Sequence, residues 1–295
     1  GTINVQMENI FPIIKKALYS DKDIFLREVV ANAVDAINKL RHLMVIGKTE
    51  REDESNFKIE IKIDKEAKTL SICDNGIGMT AEEVKKYINE VAFSGAKDFM
   101  QKYSSGEEGK QIIGHFGLGF YSSFMVSKQV EIHTCSYEKE TEPVRWNCNG
   151  SPEFELSKGE RKERGTDITL HIAEGEEEFL DDYRIKTLVR KYCDFLPFPI
   201  MLNEEKINKQ KPLWEKNPKD VTKEEYLEFY RNFYPFAQEP YLWIHLNVEL
   251  PFRLKGILYF PKLSHELDPS KGNIKLFCQS VYVSDHCEEV IPRFL

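Results

Sequence analysis

Residues 25–42 read FLREVVANAVDAINKLRH, and this stretch predicts a helix from about Asp23 to Leu43. Apolar residues occupy most of its faces, but four polar side chains recur at helical spacing and therefore share a single stripe. These four are Glu28, Asn32, Asp35 and Lys39. Such a stripe is either a row of paired charges in solvent or a row of ligands for a bound molecule. Asn32 is the discordant member, because asparagine is a poor helix former.

A predicted β-hairpin follows this helix. Residues 57–64, FKIEIKID, alternate apolar and polar side chains as a half-buried strand does, and residues 69–74, TLSICD, return as its partner. The hairpin ends in Asp74, and the sequence D-N-G-I-G-M then brings Gly76 and Gly78. Glycine accepts a positive φ and lets a ligand or a neighbouring backbone approach closely. The segment is therefore consistent with an ordinary turn as well as with a ligand-binding loop.

Two further segments contain glycine in suggestive places. Residues 113–124, IGHFGLGFYSSF, carry three glycines where a helix is predicted to open, and the N-terminus of a helix favours phosphate. Residues 93–111, which contain the sequences SG, SSG and EEG, precede it and suit a mobile flap. Residues 164–167, RGTD, stand just before an alternating strand. Each of these patterns is a weak signal when it is taken alone.

The order of the elements predicts an α+β fold, because helices precede strands and one face of the sheet is polar. An amphipathic first helix is predicted over residues 10–18. A stretch rich in Lys, Glu, Asn and Pro divides the chain, so we predict domains over residues 1–205 and 223–295 with a charged linker over 206–222. In the second domain we predict one helix, residues 224–234, and three strands, residues 242–250, 252–260 and 274–283.

Composition narrows the class of protein. The 295 residues carry a net charge of −8, which argues against nucleic acid as the main partner. The six cysteines are widely spread without a C-x-x-C pair, a usage typical of a reducing compartment. No apolar stretch approaches the roughly 20 residues that a membrane helix needs, and the N-terminus lacks a signal-peptide pattern. We therefore expect a cytoplasmic protein without a membrane partner.

Taken together and in this order, the four motifs resemble the GHKL ATPase superfamily. Their amino-acid sequences narrow the resemblance to the ninety-kilodalton heat-shock protein family of chaperones, in its bacterial HtpG-type branch. FLREVVANAVDAINKLRH, DNGIGMT and IIGHFGLGFYSSFMVS carry it in the first domain, and PLWEKNPKDVTKEEYLEFY and ELPFRLKGILYFP carry it in the second. The resemblance implies a two-layer α/β sandwich of the Bergerat type, followed by part of an α/β middle domain.

The resemblance also implies which residues bind the adenine of ATP or ADP. Asp74 should accept a hydrogen bond from the adenine amino group, and Thr166 should reach the base through a water shared with Asp74. Gly78 should let the base lie against backbone, while Met79 and Phe120 should form apolar pocket wall.

At the phosphate end, the same resemblance implies that Asn32 ligates Mg²⁺ through its side-chain oxygen. Glu28, one helical turn earlier, should be the general base that activates water. Asp35 should support the pocket, and Lys39 is a lesser candidate for the polar edge of the nucleotide. The phosphate cradle should be formed by Gly117, Leu118, Gly119 and Phe120.

The implied activity is ATP-dependent chaperoning of unfolded or partly folded client proteins. Slow hydrolysis would drive lid closure in a full-length homodimer, which is held by a C-terminal domain beyond this sequence. We also weigh a DNA-acting GHKL ATPase of the topoisomerase or mismatch-repair type, a sensor histidine kinase and a non-hydrolysing interaction module. The net charge and the FGLGFYSSF wording argue against the first of these, and the presence of Glu28 and Asn32 argues against the last.

Two departures from the family pattern bear on activity. Phe93 stands where the family typically has a lysine that can meet the phosphates. The family's γ-phosphate-contacting arginine belongs to a middle-domain loop beyond Leu295, so we expect this stretch of chain by itself to be nearly inactive as an ATPase.

Overall fold

The computed structural model describes residues 21–89, 119–249, 253–261 and 274–285. Several predictions fall outside the described residues: the first helix at residues 10–18, the flap at residues 93–111, Phe93, Gly117 and Leu118.

The chain divides into two compact units. The first comprises residues 1–208 with 278–282, and the second comprises residues 209–277 with 283–295. The division after Asn208 falls within the stretch that the sequence marks as a linker. The predicted domain limits themselves stay a prediction.

The first unit is built on an eight-stranded mixed sheet with the order β5-β4-β3-β6-β2-β1-β7-β8. Strands β1 and β7 pair in parallel, and the other six neighbouring pairs are antiparallel. The strand bounds are β1 Ile59–Asp64, β2 Thr69–Asp74, β3 Ser127–Cys135, β4 Val144–Cys148, β5 Glu155–Lys158, β6 Gly165–Ile172, β7 Ile200–Leu202 and β8 Glu205–Lys206.

Helices cover one face of this sheet. They are α1 Ile24–Val45, α2 Ala81–Asn89 and α3 Asp182–Tyr192. Helix α1 packs against β1 and β2 and also against α3, so it lies in the middle of the helical layer. Alternate residues of the β1–β2 hairpin are 0 to 2% exposed and form the core beneath helix α1: Ile59, Ile61, Leu70 and Ile72. The predicted helix, the predicted hairpin and the α+β class are confirmed.

One predicted helix has a different geometry. The segment Gly119–Met125 is a 3-10 helix, although the sequence suggested the start of an ordinary helix. The hydroxyl of Ser122 donates to the carbonyl of Gly119 at 2.6 Å, three residues earlier. Serine hydroxyls that bond nearby carbonyls compete with the regular α-helical ladder.

In the second unit, helix α4, Lys223–Phe233, begins with a capping box between Thr222 and Glu225. Strands β9, Leu242–Val248, and β10, Leu254–Phe260, pair antiparallel as expected.

The single strand predicted over residues 274–283 is wrong. That stretch forms two short strands, β11 Leu276–Cys278 and β12 Val281–Ser284. Gln279 and Ser280 between them both have positive φ, of 50° and 67°. Two left-handed residues in succession make the tight turn of a hairpin, and neither is the glycine or asparagine that signals such a turn in a sequence.

Candidate functional site

The polar stripe of α1 lies partly inside the protein. Asp35 is only 5% exposed, and Asn32 and Lys39 are half-buried. Burial lowers the pKa of Lys39, against the opposing charges of Asp35 and Glu83. A row of charges that served only to face solvent would not bury its aspartate, because a buried carboxylate needs compensating partners.

Glu28, at the N-terminal end of the stripe, lies against the start of the 3-10 segment. One carboxylate oxygen, Oε1, accepts from Nε of Arg27 at 2.9 Å and from Nη2 at 2.5 Å. The other, Oε2, lies 2.4 Å from the position that a Cβ would take at residue 119. A side chain at residue 119 would therefore require Glu28 to move. This contact joins two of the predicted site residues that are 91 positions apart in the sequence.

The loop after β2 packs on the same helix. The N–H of Ile77 donates to the carbonyl of Ala36 at 3.0 Å, and a Cβ at Gly76 would lie 2.5 Å from the carbonyl carbon of Ala36. Ala36 follows Asn32 by one helical turn, which brings the end of the hairpin close to the polar stripe. Asp74 and Asn32 are thus carried by elements in direct contact.

Gly78 is required by a different neighbour. Its φ is +66°, and a Cβ there would lie 1.8 Å from the carbonyl oxygen of Cys135 on β3. The N–H of Tyr137 also donates to the carbonyl of Ile77 at 2.9 Å. The two glycines of the D-N-G-I-G motif therefore let one loop touch helix α1 on one side and strand β3 on the other.

Asp74 is the last residue of β2 and is 7% exposed. Its Oδ1 accepts from the N–H of Gly76 at 2.8 Å. Burial raises its pKa to about 7, although the Gly76 hydrogen bond and the charge of Arg161 act in the opposite direction. A carboxyl group whose charge is opposed by burial at the end of a strand is a candidate for ligand binding.

Two threonine hydroxyls continue from Asp74 across the sheet. Thr166 on β6 is in register with Asp74 on one side and with Thr134 of β3 on the other. The hydroxyl oxygens of Thr166 and Thr134 are 3.0 Å apart, and Thr134 accepts from the N–H of Met79 at 2.9 Å. Both threonines are buried. They form a polar chain that connects three of the predicted site residues: Asp74, Met79 and Thr166.

Thr134 was not identified from the sequence, although a signal was present. It is an inward-facing residue of β3, two positions after Ile132 and four after Val130, where a third apolar residue would be expected. A hydroxyl at such a position needs a buried partner, and the Thr166 and Met79 contacts supply it.

Phe120 belongs to an aromatic cluster. Its ring centroid lies 5.6 Å from that of Tyr121, 6.2 Å from that of Phe124 and 5.7 Å from that of Trp146. Phe120 is 7% exposed, and Met79 is half-buried. The described residues thus bring together Glu28 with Gly119, and Asp74 with Met79 and Thr166.

The donor chemistry fits a magnesium ion that arrives with its own ligands. Asn32 offers a hard amide oxygen on the half-buried part of α1. Among the described residues there is no group of three or more His, Cys, Asp or Glu side chains that could hold a metal ion by themselves. The phosphates of a nucleotide and water would therefore have to complete the six oxygen ligands that Mg²⁺ requires. Within the same described ranges, no helix is long and apolar enough to cross a membrane.

Comparisons with known proteins show which families the chain resembles. Residues 21–160 match the family "Histidine kinase-, DNA gyrase B-, and HSP90-like ATPase", and residues 201–295 match the family "Hsp90 protein". The chain is 50% identical over 310 aligned positions to a Chaperone protein htpG of Bacteroides fragilis (strain 638R), covering 100% of the chain and 45% of that protein.

Two further relatives carry the same name. One, from Porphyromonas gingivalis (strain ATCC BAA-308 / W83), is 46% identical, with 100% of the chain and 45% of the relative covered. The other, from Escherichia coli O1:K1 / APEC, is 35% identical, with 98% and 49% covered. The chain spans about half the length of the curated relatives it matches.

Proposed function

This chain belongs to the Hsp90 protein family, and from that premise we propose that its first unit binds ATP and ADP together with Mg²⁺. Adenine lies at the strand end marked by Asp74, and the phosphates lie along the N-terminal half of helix α1. The single observation that carries this proposal is Asp74 itself, a carboxylate 7% exposed at the point where β2, β6 and α1 meet.

The chemistry at Asp74 selects adenine. A buried carboxylate accepts hydrogen bonds, and adenine presents an amino donor where guanine presents a carbonyl oxygen. The neighbouring hydroxyl of Thr166 serves both the base and a shared water, and its orientation is held by Thr134 at 3.0 Å. A base lacking the amino group leaves the carboxylate unpaired, which costs more than a lost contact between neutral groups.

At the phosphate end, Asn32 ligates Mg²⁺, and the bound ion neutralises charge on the phosphates when it is present. Glu28 orients and deprotonates the attacking water. Its Oε1 accepts hydrogen bonds from Arg27, and its Oε2 lies beside Gly119. Hydrolysis of a phosphoanhydride depends mainly on such positioning together with charge neutralisation. Lys39 lies further along the helix at the polar edge, and Asp35 supports the stripe from within.

The whole protein to which this stretch corresponds is, on this proposal, a cytoplasmic ATP-dependent chaperone. The relatives named above are called chaperone proteins, and we extend that activity to unfolded or partly folded clients of this protein. In this proposal the whole protein is a homodimer, and the contacts that hold the two subunits together lie outside the present sequence. A DNA-acting ATPase is not favoured, because residues 201–295 match the Hsp90 protein family and the net charge is −8.

Calorimetric titration with ADP and Mg²⁺ tests the nucleotide site. Asp74→Asn should weaken ADP binding by about tenfold to about a hundredfold, since hydrogen bonds to charged groups contribute about 1.5–3 kcal/mol. Asp220→Asn removes the same charge from an exposed position of the second unit and should leave the affinity unchanged. Equal affinities for wild type and Asp74→Asn would overturn the adenine assignment.

Hydrolysis is tested separately. If the arginine loop is needed, residues 1–295 should turn over ATP far more slowly than a longer chain that includes it, while binding ADP equally well. Glu28→Gln in that longer chain should abolish most of the turnover with little loss of affinity, because it removes the base and keeps the shape. Equal turnover by the two chains would contradict the expected near-inactivity.

A further inference from the structure

Arg161, in the loop before β6, makes an unusual number of contacts to one corner of the sheet. Its Nη2 donates to the backbone carbonyl of Asp74 at 3.0 Å and to that of Arg164 at 3.3 Å. Its Nε donates to the carbonyl of Glu163 at 2.9 Å. Its Nη1 forms an ion pair with Asp167 on β6. Three carbonyls and one carboxylate are thus gathered by a single guanidinium group whose side chain is 16% exposed.

The backbone at this corner is packed too closely for any side chain. Gly165 has a φ of +122°, and a Cβ there would lie 2.1 Å from the carbonyl oxygen of Asp74 and 2.7 Å from Nη2 of Arg161. Gly165 is the first residue of β6, and the next residue, Thr166, is the register partner of Asp74. Arg161 therefore connects the last residue of β2 to the start of β6. The two proposed adenine contacts, Asp74 and Thr166, lie at this connection.

From this geometry we propose that Arg161 is a positioning residue that holds the Asp74 carboxylate and the Thr166 hydroxyl in the arrangement that selects adenine. The inference rests on the proposed nucleotide site. The described contacts of Arg161 go to backbone carbonyls and to Asp167, so it acts on the base through Asp74 and Thr166. Its charge has a second consequence, because it helps to keep the buried Asp74 carboxylate ionised against the effect of burial.

Arginine suits this role better than lysine does. The guanidinium is a planar fork with five donors, and here it reaches both sides of a strand junction at once. A lysine could retain the ion pair with Asp167, but a single ammonium on a flexible stem would not span the carbonyls of Asp74 and Glu163 together. The Arg161→Lys variant therefore keeps the positive charge and removes the geometry of the guanidinium, so that the two effects are tested separately.

The experiment compares ADP with inosine diphosphate, which has the same ribose and phosphates but a carbonyl in place of the amino group. Both are titrated with Mg²⁺ into wild type, Arg161→Gln, Arg161→Lys and Arg164→Gln. Arg161→Gln should lose about tenfold in ADP affinity and less than about twofold in inosine diphosphate affinity, so that selectivity falls about tenfold. Arg161→Lys should lose selectivity by an intermediate amount.

Arg164→Gln is the matched control. Arg164 is in the same loop and its side chain is similarly buried, at 19% exposed, but its guanidinium pairs with Glu52 at 3.0 Å. Its selectivity should equal that of wild type. A loss of both nucleotides in equal proportion by Arg161→Gln would indicate general loosening and overturn the inference. If Arg161→Gln does not fold, unchanged selectivity in Arg161→Lys overturns it instead. A wild type without any preference for ADP would contradict the nucleotide site itself, which is a distinct result.

Discussion

Two carboxyl groups on opposite faces of the same sheet have pKa values shifted in opposite directions. Asp74, on the helix-covered face, has its pKa raised to about 7 by burial. Glu131, on the open face, would also have its pKa raised by burial, but hydrogen bonds from three side chains outweigh that effect and lower it. Arg145 and His171 each lie 3.0 Å from its oxygens, and His133 lies at 3.4 Å.

The difference teaches how to recognise a ligand site in this fold. Glu131 is fully supplied with partners by the protein, so it contributes to the structure of the open face. The backbone N–H groups of Gly76, at 2.8 Å, and of Thr166 also favour the charged form of Asp74, but burial has the larger effect and its pKa is still raised. A charge that the protein itself compensates poorly is retained where a ligand can complete it, which is why strongly perturbed groups mark functional sites.

The largest expected effect is on stability at Asp74. Its folded pKa of about 7 lies above its ordinary value of 3.8, so the folded state binds a proton more tightly than the unfolded state. Ionisation therefore lowers the free energy of unfolding as pH rises from about 4 to about 7, by at most about 4 kcal/mol. Asp74→Asn should be more stable than wild type at pH 8 and equal to it near pH 4.

Urea unfolding of both proteins at the two pH values measures this difference. Asp220→Asn, exposed in the second unit, serves as the charge control and should show no gain at pH 8. A variant that binds ADP poorly and is also less stable at pH 8 would mean that Asp74 is a structural residue like Glu131.

A smaller effect is expected at Thr134, which is 0% exposed. Thr134→Val keeps the shape but removes the acceptor for the N–H of Met79 and the partner of Thr166. A buried donor left without a partner costs about 1–3 kcal/mol. The free energy of unfolding should fall by that amount, and ADP should bind more weakly because the Thr166 hydroxyl loses its orientation.

The matched control for this substitution is Thr169→Val. Thr169 also pairs with another hydroxyl, that of Ser71 at 2.8 Å, but both are half-buried rather than sealed from water. We expect a loss below about 1 kcal/mol and unchanged ADP affinity there, because water can replace the lost partner. Equal losses of stability and of ADP affinity in Thr134→Val and Thr169→Val would contradict the proposed difference between the helix-covered face and the open face of the sheet.

The smallest effect is expected at Glu131, whose side chain is 16% exposed. Because its folded pKa is lowered, its contribution is present above its ordinary pKa of 4.5 and disappears as pH falls through the folded value. Glu131→Gln should lower the free energy of unfolding by less than about 1 kcal/mol at pH 7 and by nothing at low pH. ADP affinity, measured by the same titration, should not change; a tenfold loss would connect the open face to the nucleotide site.

Local patterns were enough for the elements that surround the site. The stripe of α1 and the alternation of β1 and β2 depend on side-chain period alone, and the structure has them with ends shifted by one or two residues. The hairpin of β11 and β12 was missed, because its turn uses Gln279 and Ser280, which rarely adopt positive φ. The 3-10 geometry of Gly119–Met125 was also missed, since glycine placement predicts where a helix begins but not its hydrogen-bond spacing.

The sequence by itself determined the α+β class, the helix that carries Glu28 and Asn32, and the strand that ends in Asp74, because periodicity and glycine placement are local properties. Only the tertiary structure decided that Gly119 lies against Glu28, and that Thr134 and Arg161 belong to the corner around Asp74. Those relations join residues 32 to 91 positions apart in the chain. They arise from burial and packing between elements, which no window of sequence contains.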